Sequence, residues 1–536
     1  MDRREFLARG TLAAGWMLAG PRATAALSPE NEEIQGAGRS FRCGDAGLMR
    51  LYGAALTALR GNVVQLPSFA GSVLAEGSGY PGVWMECGPQ EALVFGEWAT
   101  EAARNVARNN HLIFFALQKD DGQLPCAVKR ASAAAAGGPE WSQIQMVVPI
   151  AATAWEVAQR TGDSELLEKA FSACSRWDAW LRRYRNTRGA GLCEGFCTWD
   201  TGMDNSPRWR GEPNSCADGD ARQCPRGPGL PRLCPDLSAT VYGGRVALAA
   251  MAQALGKTSE ANRWTEDAET IRKLIVERLC DATDGGFYDL DAQGRFVRVR
   301  SAAVLRVLGE HVPDEKLFAT VWERQAHNPK AFWAPYPFPS VALDDPDFVR
   351  PITRNSWGGP SQALTALRAP RWMEHYGKSA ELAWLMQRWV AALRRAGDFR
   401  QQMDPVSGIF TPDAGGYSPA ALVLLDFTWR LSGVRGQADA WEWNVRPPAT
   451  GKSQFAAQAH GTTAELVYDG DGAEMRIGGK RVARVNGIVR IATTPAGELR
   501  AATGLAQGNT EVRIRVPDKP ERSFRIEPNE RVDLNS

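Results

Sequence analysis

Two aspartates four residues apart, Asp200 and Asp204, stand in Thr198-Trp199-Asp200-Thr201-Gly202-Met203-Asp204-Asn205-Ser206-Pro207-Arg208-Trp209, among indoles and a thioether. A carboxyl in apolar surroundings loses hydration, so its charged form is disfavoured and it keeps its proton near neutrality. Such a group can protonate a departing oxygen, and an indole face can lie flat against a sugar ring. The chemistry indicated is acid-assisted cleavage of a glycosidic bond, with Asp204 as the acid and Asp200 its nearest rival. The plainer alternative is that Asp204 caps the turn through Asn205-Ser206-Pro207. Arg208 would hold an acidic substituent or pair with a neighbouring carboxylate.

Other chemistries lack their signatures. There is no Gly-x-Ser-x-Gly elbow, His-Glu-x-x-His, phosphate-binding Gly-x-x-x-x-Gly-Lys-Ser/Thr loop or dinucleotide fingerprint in a βαβ setting. The five histidines are scattered and no Cys-x-x-Cys occurs, so neither a metal nor a cofactor is expected. A net charge of +2 without a long basic run argues against nucleic acid as a partner. A carbohydrate is the expected partner, and the 19 tryptophans suit it, although most must be core.

The elements that would position these groups are mainly helical. From about residue 48 to 435 apolar residues recur with the helical period, in Glu140–Thr161, Glu165–Arg185, Asp236–Leu255, Glu260–Cys280, Pro360–Tyr376 and Glu381–Ala396. Three joints (Thr161-Gly162-Asp163-Ser164-Glu165, Leu255-Gly256-Lys257-Thr258-Ser259-Glu260 and Tyr376-Gly377-Lys378-Ser379-Ala380-Glu381) share a pattern. In each, Gly can end one helix in a left-handed cap, a hydroxyl can cap the next, and Glu meets that helix's positive end. Tight joints on one side and long Pro/Gly/Trp-rich connections on the other predict helical hairpins closing into a barrel, with the site in the long loops. Beyond Trp443-Asn444-Val445-Arg446-Pro447-Pro448, short alternating runs separated by Gly-containing turns predict an all-β domain. The expected organisation is a barrel over residues 26–440 and a β-sandwich over 441–536.

Gly202-Met203-Asp204-Asn205-Ser206-Pro207 closely resembles the acid-bearing loop of (α/α)6-barrel glycosidases of the processing α-glucosidase, mannosylglycerate hydrolase and trehalase kind. Further landmarks of that family follow in order: Trp84-Met85-Glu86, Gln118 to Pro125, Pro235-Asp236-Leu237-Ser238-Ala239, Pro339-Ser340-Val341-Ala342, Asn355-Ser356-Trp357-Gly358-Gly359-Pro360, Asp404-Pro405-Val406-Ser407-Gly408 and Tyr417-Ser418. The resemblance spans about residues 80–435 and implies an inverting O-glycosyl hydrolase with Asp204 as general acid. One position departs from it. Such glycosidases carry the general-base Glu four residues before the Pro of the Asp-Pro-x-x-Gly turn, and this chain has Gln401 there. An amide cannot take a proton from water. Either another carboxylate serves, with Asp404, Asp413, Glu86 and Glu91 as candidates, or Gln401 only orients the water, or hydrolysis is lost. Trp84, Trp199 and Trp357 are expected as stacking walls, and Glu86, Gln143, Asp200, Asn205, Arg208, Asp236, Gln401 and Tyr417 as substrate partners. Glu86 and Glu91 open a helix and could instead complement its dipole.

Two readings of other classes compete with hydrolysis. Gln401 fits a carbohydrate-binding protein on a glycosidase scaffold. A polysaccharide lyase would use Tyr417 or His375 as base.

Residues 1–25 read as a twin-arginine export signal: Arg3-Arg4, Phe6-Leu7, a short apolar stretch from Gly10 to Gly20, and Ala23-Thr24-Ala25. The protein is therefore expected in the periplasm or outside the cell, with no membrane attachment once the signal is cleaved. Five of the ten cysteines (Cys193, Cys197, Cys216, Cys224 and Cys234) crowd one Gly/Pro-rich loop, and disulfides are the expected staples there.

Overall fold

Glycines at positive φ end helices where the joints predict them: Gly162 at 67°, Gly256 at 72° and Gly377 at 67°. The hydroxyl caps do not form. At the first joint Asp163, one residue earlier, is already extended and its carboxylate accepts the Leu166 N–H at 2.9 Å. The other two helices begin after Lys257 and Lys378 with no side-chain cap. The computed structural model describes residues 34–534 except 37, 78, 99–100, 132–135, 353–354, 448–451 and 471. The export-signal stretch lies outside the described residues.

Twelve helices are described: α1 Ala46–Gly61, α2 Gly88–Trp98, α3 Glu101–Ala116, α4 Ile150–Thr161, α5 Ser164–Tyr184, α6 Pro235–Ala254, α7 Thr258–Leu279, α8 Ala303–Gly309, α9 Glu315–Val321, α10 Ala363–His375, α11 Ser379–Ala396 and α12 Ser418–Ser432. The helix expected from Glu140 starts only at Ile150. Gly138–Glu140 pairs as a strand with Ala127–Lys129, and Pro149 takes the N-cap position.

Even-numbered helices contact one another in sequence, α2 to α4, α6, α8, α10, α12 and back to α2, forming a closed inner ring. Odd-numbered helices lie outside it. Every tight joint runs from an inner to an outer helix, and every long loop leads into the N-terminus of an inner helix. Loop residues therefore meet at one mouth of an (α/α)6 toroid. Inside the ring lies a cavity of about 170 Å³ lined by charged residues from α2, α4, α8, α10 and α12.

At the opposite mouth two sheets form a sandwich. One has eight strands and the other five. The eight-stranded sheet is not built from the C-terminal part alone, because Arg39–Cys43 pairs antiparallel with Ser453–Ala457. Trp441 and Trp443 are fully buried. Among the described residues no helix is long and apolar enough to cross a membrane.

Candidate active site

Asp204 stands on a tight turn between two left-handed residues, Gly202 at φ 61° and Asn205 at φ 55°. Glycine is required at 202 for a second reason: a Cβ there would fall 1.9 Å from Glu86 Oε2. The turn is pinned from across the mouth. Trp357 donates its backbone N–H to the Asp204 carbonyl at 2.8 Å, and Asn205 Nδ2 donates to the Asn355 carbonyl at 2.7 Å. Asn355 Nδ2 donates to Asp204 Oδ2 at 2.9 Å. Burial raises the pKa of this carboxyl above the ordinary Asp value, against the lowering effect of the Asn355 and Trp199 donors.

Glu86 follows the strand Gly82–Trp84 and precedes α2. Gln145 Nε2 donates to its Oε2 at 3.1 Å, and Gln143 Nε2 holds Gln145 Oε1 at 3.1 Å. Burial pushes the Glu86 carboxyl up to about 7; Gln145 opposes this and Asp204 adds to it. Behind it Glu76 Oε1 accepts the Tyr417 hydroxyl at 2.7 Å, and a Glu76 oxygen lies within 4.8 Å of a Glu86 oxygen. Burial, then the like charges of Glu91 and Glu86, push Glu76 well above the carboxylate range. Glu91 is raised to about 7, chiefly by burial.

Gln401 joins the acid through amides. Tyr80 Oη donates to Gln401 Oε1 at 2.9 Å, and Gln401 Nε2 donates to Asn355 Oδ1 at 3.4 Å. With the Asn355 to Asp204 bond, this puts Gln401 no farther than about 9 Å from the acid, within reach of the roughly 6.5–9.5 Å typical of an inverting pair. The position where the resemblance implies a base thus carries an amide bonded to Tyr80 and Asn355. Trp84, half-buried, meets the Tyr80 ring edge-on with centroids 5.8 Å apart.

Several expected substrate partners serve the scaffold instead. Asp200 is fully buried and accepts the Ile144 and Phe196 N–H groups at 2.9 and 2.8 Å. The Arg208 guanidinium is buried and bonds both Asp236, at 2.7 and 2.8 Å, and Asp289, at 2.7 and 2.5 Å. Asp236 is further bonded by Arg306 at 3.2 Å. Trp357 is 2% exposed, too buried for a stacking wall. Tyr417 spends its hydroxyl on Glu76. Gln143 reaches the site only through Gln145.

Of the candidate bases, Asp404 caps its own turn, accepting the Val406 and Ser407 N–H groups at 2.9 and 2.8 Å. Asp413 accepts the Thr411 hydroxyl. Glu91 lies beyond Cys87 in the core. His375 ends α10 at the far mouth, stacked on His311 at 3.7 Å, which removes it from a lyase role. Glu76, Glu86 and Cys87 could each offer a metal one ligand atom, and so could Cys234, Asp236 and Asp289. The second triad already holds the Arg208 guanidinium. In the first, burial keeps the Cys87 thiol protonated, which disfavours it as a ligand.

All ten cysteines are free, so the expected staples are absent from the structure. The loop is held instead by Asp200, by the Arg208 pairs, by Arg185 Nη1 on the Ala221 carbonyl at 2.8 Å, and by Glu194 on the Thr187 and Arg188 N–H groups at 2.7 and 2.8 Å.

Tyr80, Gln145 and Glu76 carry no signal of their own in the sequence, and Asn355 shows there only as the first residue of a landmark. Asn355 and Gln145 both adopt positive φ, 39° and 43°, which their residue types do not reveal.

A closed ring of six helical hairpins with a carboxyl-lined mouth defines the six-hairpin glycosidases. Residues 90–429 match the mannosylglycerate hydrolase MGH1-like glycoside hydrolase domain, and the chain belongs to that family. Mannosylglycerate hydrolase from Thermus thermophilus is similar in fold, with a TM-score of 0.56 at 21% identity, covering 70% of this chain and 100% of that one. Neutral trehalase from Saccharomyces cerevisiae gives 0.52 at 16% identity, over 70% and 80% of the two chains. A rhamnosidase of Bacillus sp. GL1 gives 0.56 at 14%, over 83% and 42%. No curated protein matches the sequence.

Proposed function

We propose that the protein is an inverting O-glycosyl hydrolase acting on a small glycoside or an oligosaccharide end, outside the cytoplasm after twin-arginine export. Asp204 is the general acid and Glu86 the second carboxyl, with Gln401 and Asn355 orienting the attacking water. The observation that carries this is the half-buried Asp204, bonded by Asn355 and Trp199 at the loop mouth and coupled by charge to Glu86.

At working pH the two carboxyls share one proton, and turnover needs it on Asp204. A second proton disables Glu86 as acceptor, and loss of the last one disables the acid. The profile of kcat/KM is therefore a bell whose upper limb falls near pH 7, the value to which Glu86 is raised.

Glu86→Gln should lower hydrolysis about a hundredfold or more, and azide should restore it with a β-azide from an α-glycoside, or the reverse. Rescue of Asp413→Asn in place of Glu86→Gln transfers the acceptor role to Asp413. A protein that binds sugars and releases no reducing end under any condition is a carbohydrate-binding protein on a retired scaffold, as an amide at 401 would allow.

A further inference from the structure

We infer that a small monovalent anion of the halide kind binds in the cavity inside the helical ring, held between the guanidiniums of Arg306 on α8 and Arg368 on α10. The inference does not depend on the glycosidase reading.

Five arginines line this cavity of about 170 Å³. Three are spent on carboxylates at its sandwich end: Arg160 on Glu97, Arg371 on Glu156 at 3.1 Å and Glu310 at 3.4 Å, and Arg430 on Glu374 at 2.9 Å and Asp426 at 2.7 Å. Arg306 and Arg368, at the end nearer the loop mouth, are not. Arg306 is only 8% exposed, and its Nη1 donates to the Thr201 carbonyl at 2.5 Å and to Asp236 at 3.2 Å. Among the described residues its Nε and Nη2 have no partner. Arg368 donates from Nε to Gln90 Oε1 at 3.0 Å and from Nη2 to the Glu86 carbonyl at 2.7 Å, which leaves Nη1 free. Gln90 lines the same space, and its side-chain NH2 is likewise unbonded among the described residues. The two guanidiniums oppose each other. Burial lowers Arg306 to about 10; Asp236 resists this and the charge on Arg368 adds to it.

The local charge count sets the valence of the ion. Arg208, Arg306 and Arg368 face the two carboxylates Asp236 and Asp289, which leaves one positive charge. The other acids around them tend to keep their protons. Glu86, Glu91 and Glu310 are raised to about 7, chiefly by burial, and burial also keeps Glu76, Cys87 and Tyr417 protonated. Arg371 still has Glu156 when Glu310 is neutral. A buried charge is costly unless paired, and one anion taking the free N–H groups cancels it. Glu86 and Glu310 supply that negative charge themselves once they ionise, so the ion competes with their deprotonation. Halide concentration is thereby coupled to the protonation of Glu86. The cavity extends to Arg160, which is exposed at the sandwich end and gives a small ion a way in.

The test uses the intact protein. Crystals soaked in bromide should show an anomalous peak between the Arg306 and Arg368 guanidiniums. Replacing potassium glutamate by potassium chloride at constant ionic strength should raise the melting temperature at pH 6 by about 2 °C. The apparent chloride affinity should fall about tenfold from pH 6 to pH 9, and by less in Glu310→Gln, which cannot ionise at that position. Arg368→Gln should abolish the chloride gain. Bromide peaks on exposed arginines with none in the cavity show an adventitious ion only and overturn the inference. So does a chloride gain that Arg368→Gln retains in full, or one equal at pH 6 and pH 9. Should Arg368→Gln fail to fold, the bromide peak and the pH dependence decide.

Discussion

Glu91 and Glu97 lie on the same helix, the first buried and the second half-buried, and their environments drive them in opposite directions. Glu91, in the core behind Cys87 in the first turn of the helix, is raised to about 7 by burial, with Glu86 adding to the shift. At the sandwich end burial alone would raise Glu97 too, but Arg160 and Arg39 outweigh it and hold the carboxyl at about 2. Glu374 repeats the second pattern at about 2, paired with Arg430 at 2.9 Å and with Arg490 of the sandwich at 3.1 Å. Burial can still win at the sandwich end, where Glu310 is raised to about 7 despite Arg371 beside it. Glu97 and Glu374, where the arginines outweigh burial, tie the barrel to the sandwich through Arg39 and Arg490.

The sharpest way to break this contrast is to remove the cation that keeps the loop mouth's supporting layer in the paired state. Arg208→Met leaves Asp236 and Asp289 buried without their partner, and should cost about 3–5 kcal/mol of stability in urea unfolding. A loss below about 1 kcal/mol would mean the pairs do not carry the turn. Next comes the turn itself. Gly202→Ala strains a positive φ and drives a methyl onto Glu86, so kcat/KM should fall about a hundredfold with a much smaller change in melting temperature. A mainly structural loss would shift both together.

The smallest effects come from the two glutamates, and their signs differ. Glu97 is depressed, so it stabilises the fold above its ordinary value of 4.5, and that contribution is lost as pH falls from there through about 2. Glu97→Gln should lower the melting temperature at pH 7 and flatten the loss in acid. Glu91 is raised, so its ionisation costs stability as pH rises from 4.5 through about 7. Glu91→Gln should raise the melting temperature by about 2–4 °C at pH 8 and leave it unchanged at pH 4.5. Like-signed shifts in the two variants would erase the distinction between the two environments.

The helical hairpins and their glycine stops are legible in the sequence, because periodicity and αL caps are local properties. The strands from Thr462 to Ile526 are legible for the same reason. The turn carrying Asp204 stands out through its composition, and the landmark order places Glu86 near it. What cannot be read locally is pairing at a distance. Asp289 lies 81 residues from Arg208 and, together with Asp236, turns a plausible anion hook into a buried strut. Nor does the sequence show that Asn355 reaches Asp204 across 151 residues, or that Tyr80 reaches Gln401 across 321. The disulfides were inferred from a loop composition that looked unable to hold its shape; internal carboxylate and guanidinium bonds hold it instead.

The central claim is that Asp204 delivers a proton to the leaving oxygen, and leaving-group dependence in Asp204→Asn tests it most directly. With an alkyl or sugar aglycone, the variant should lose at least about a hundredfold in kcat/KM. With a dinitrophenyl or fluoride leaving group, which departs without protonation, most of that loss should vanish. An equal loss on both substrates, or no loss on either, would contradict the assignment.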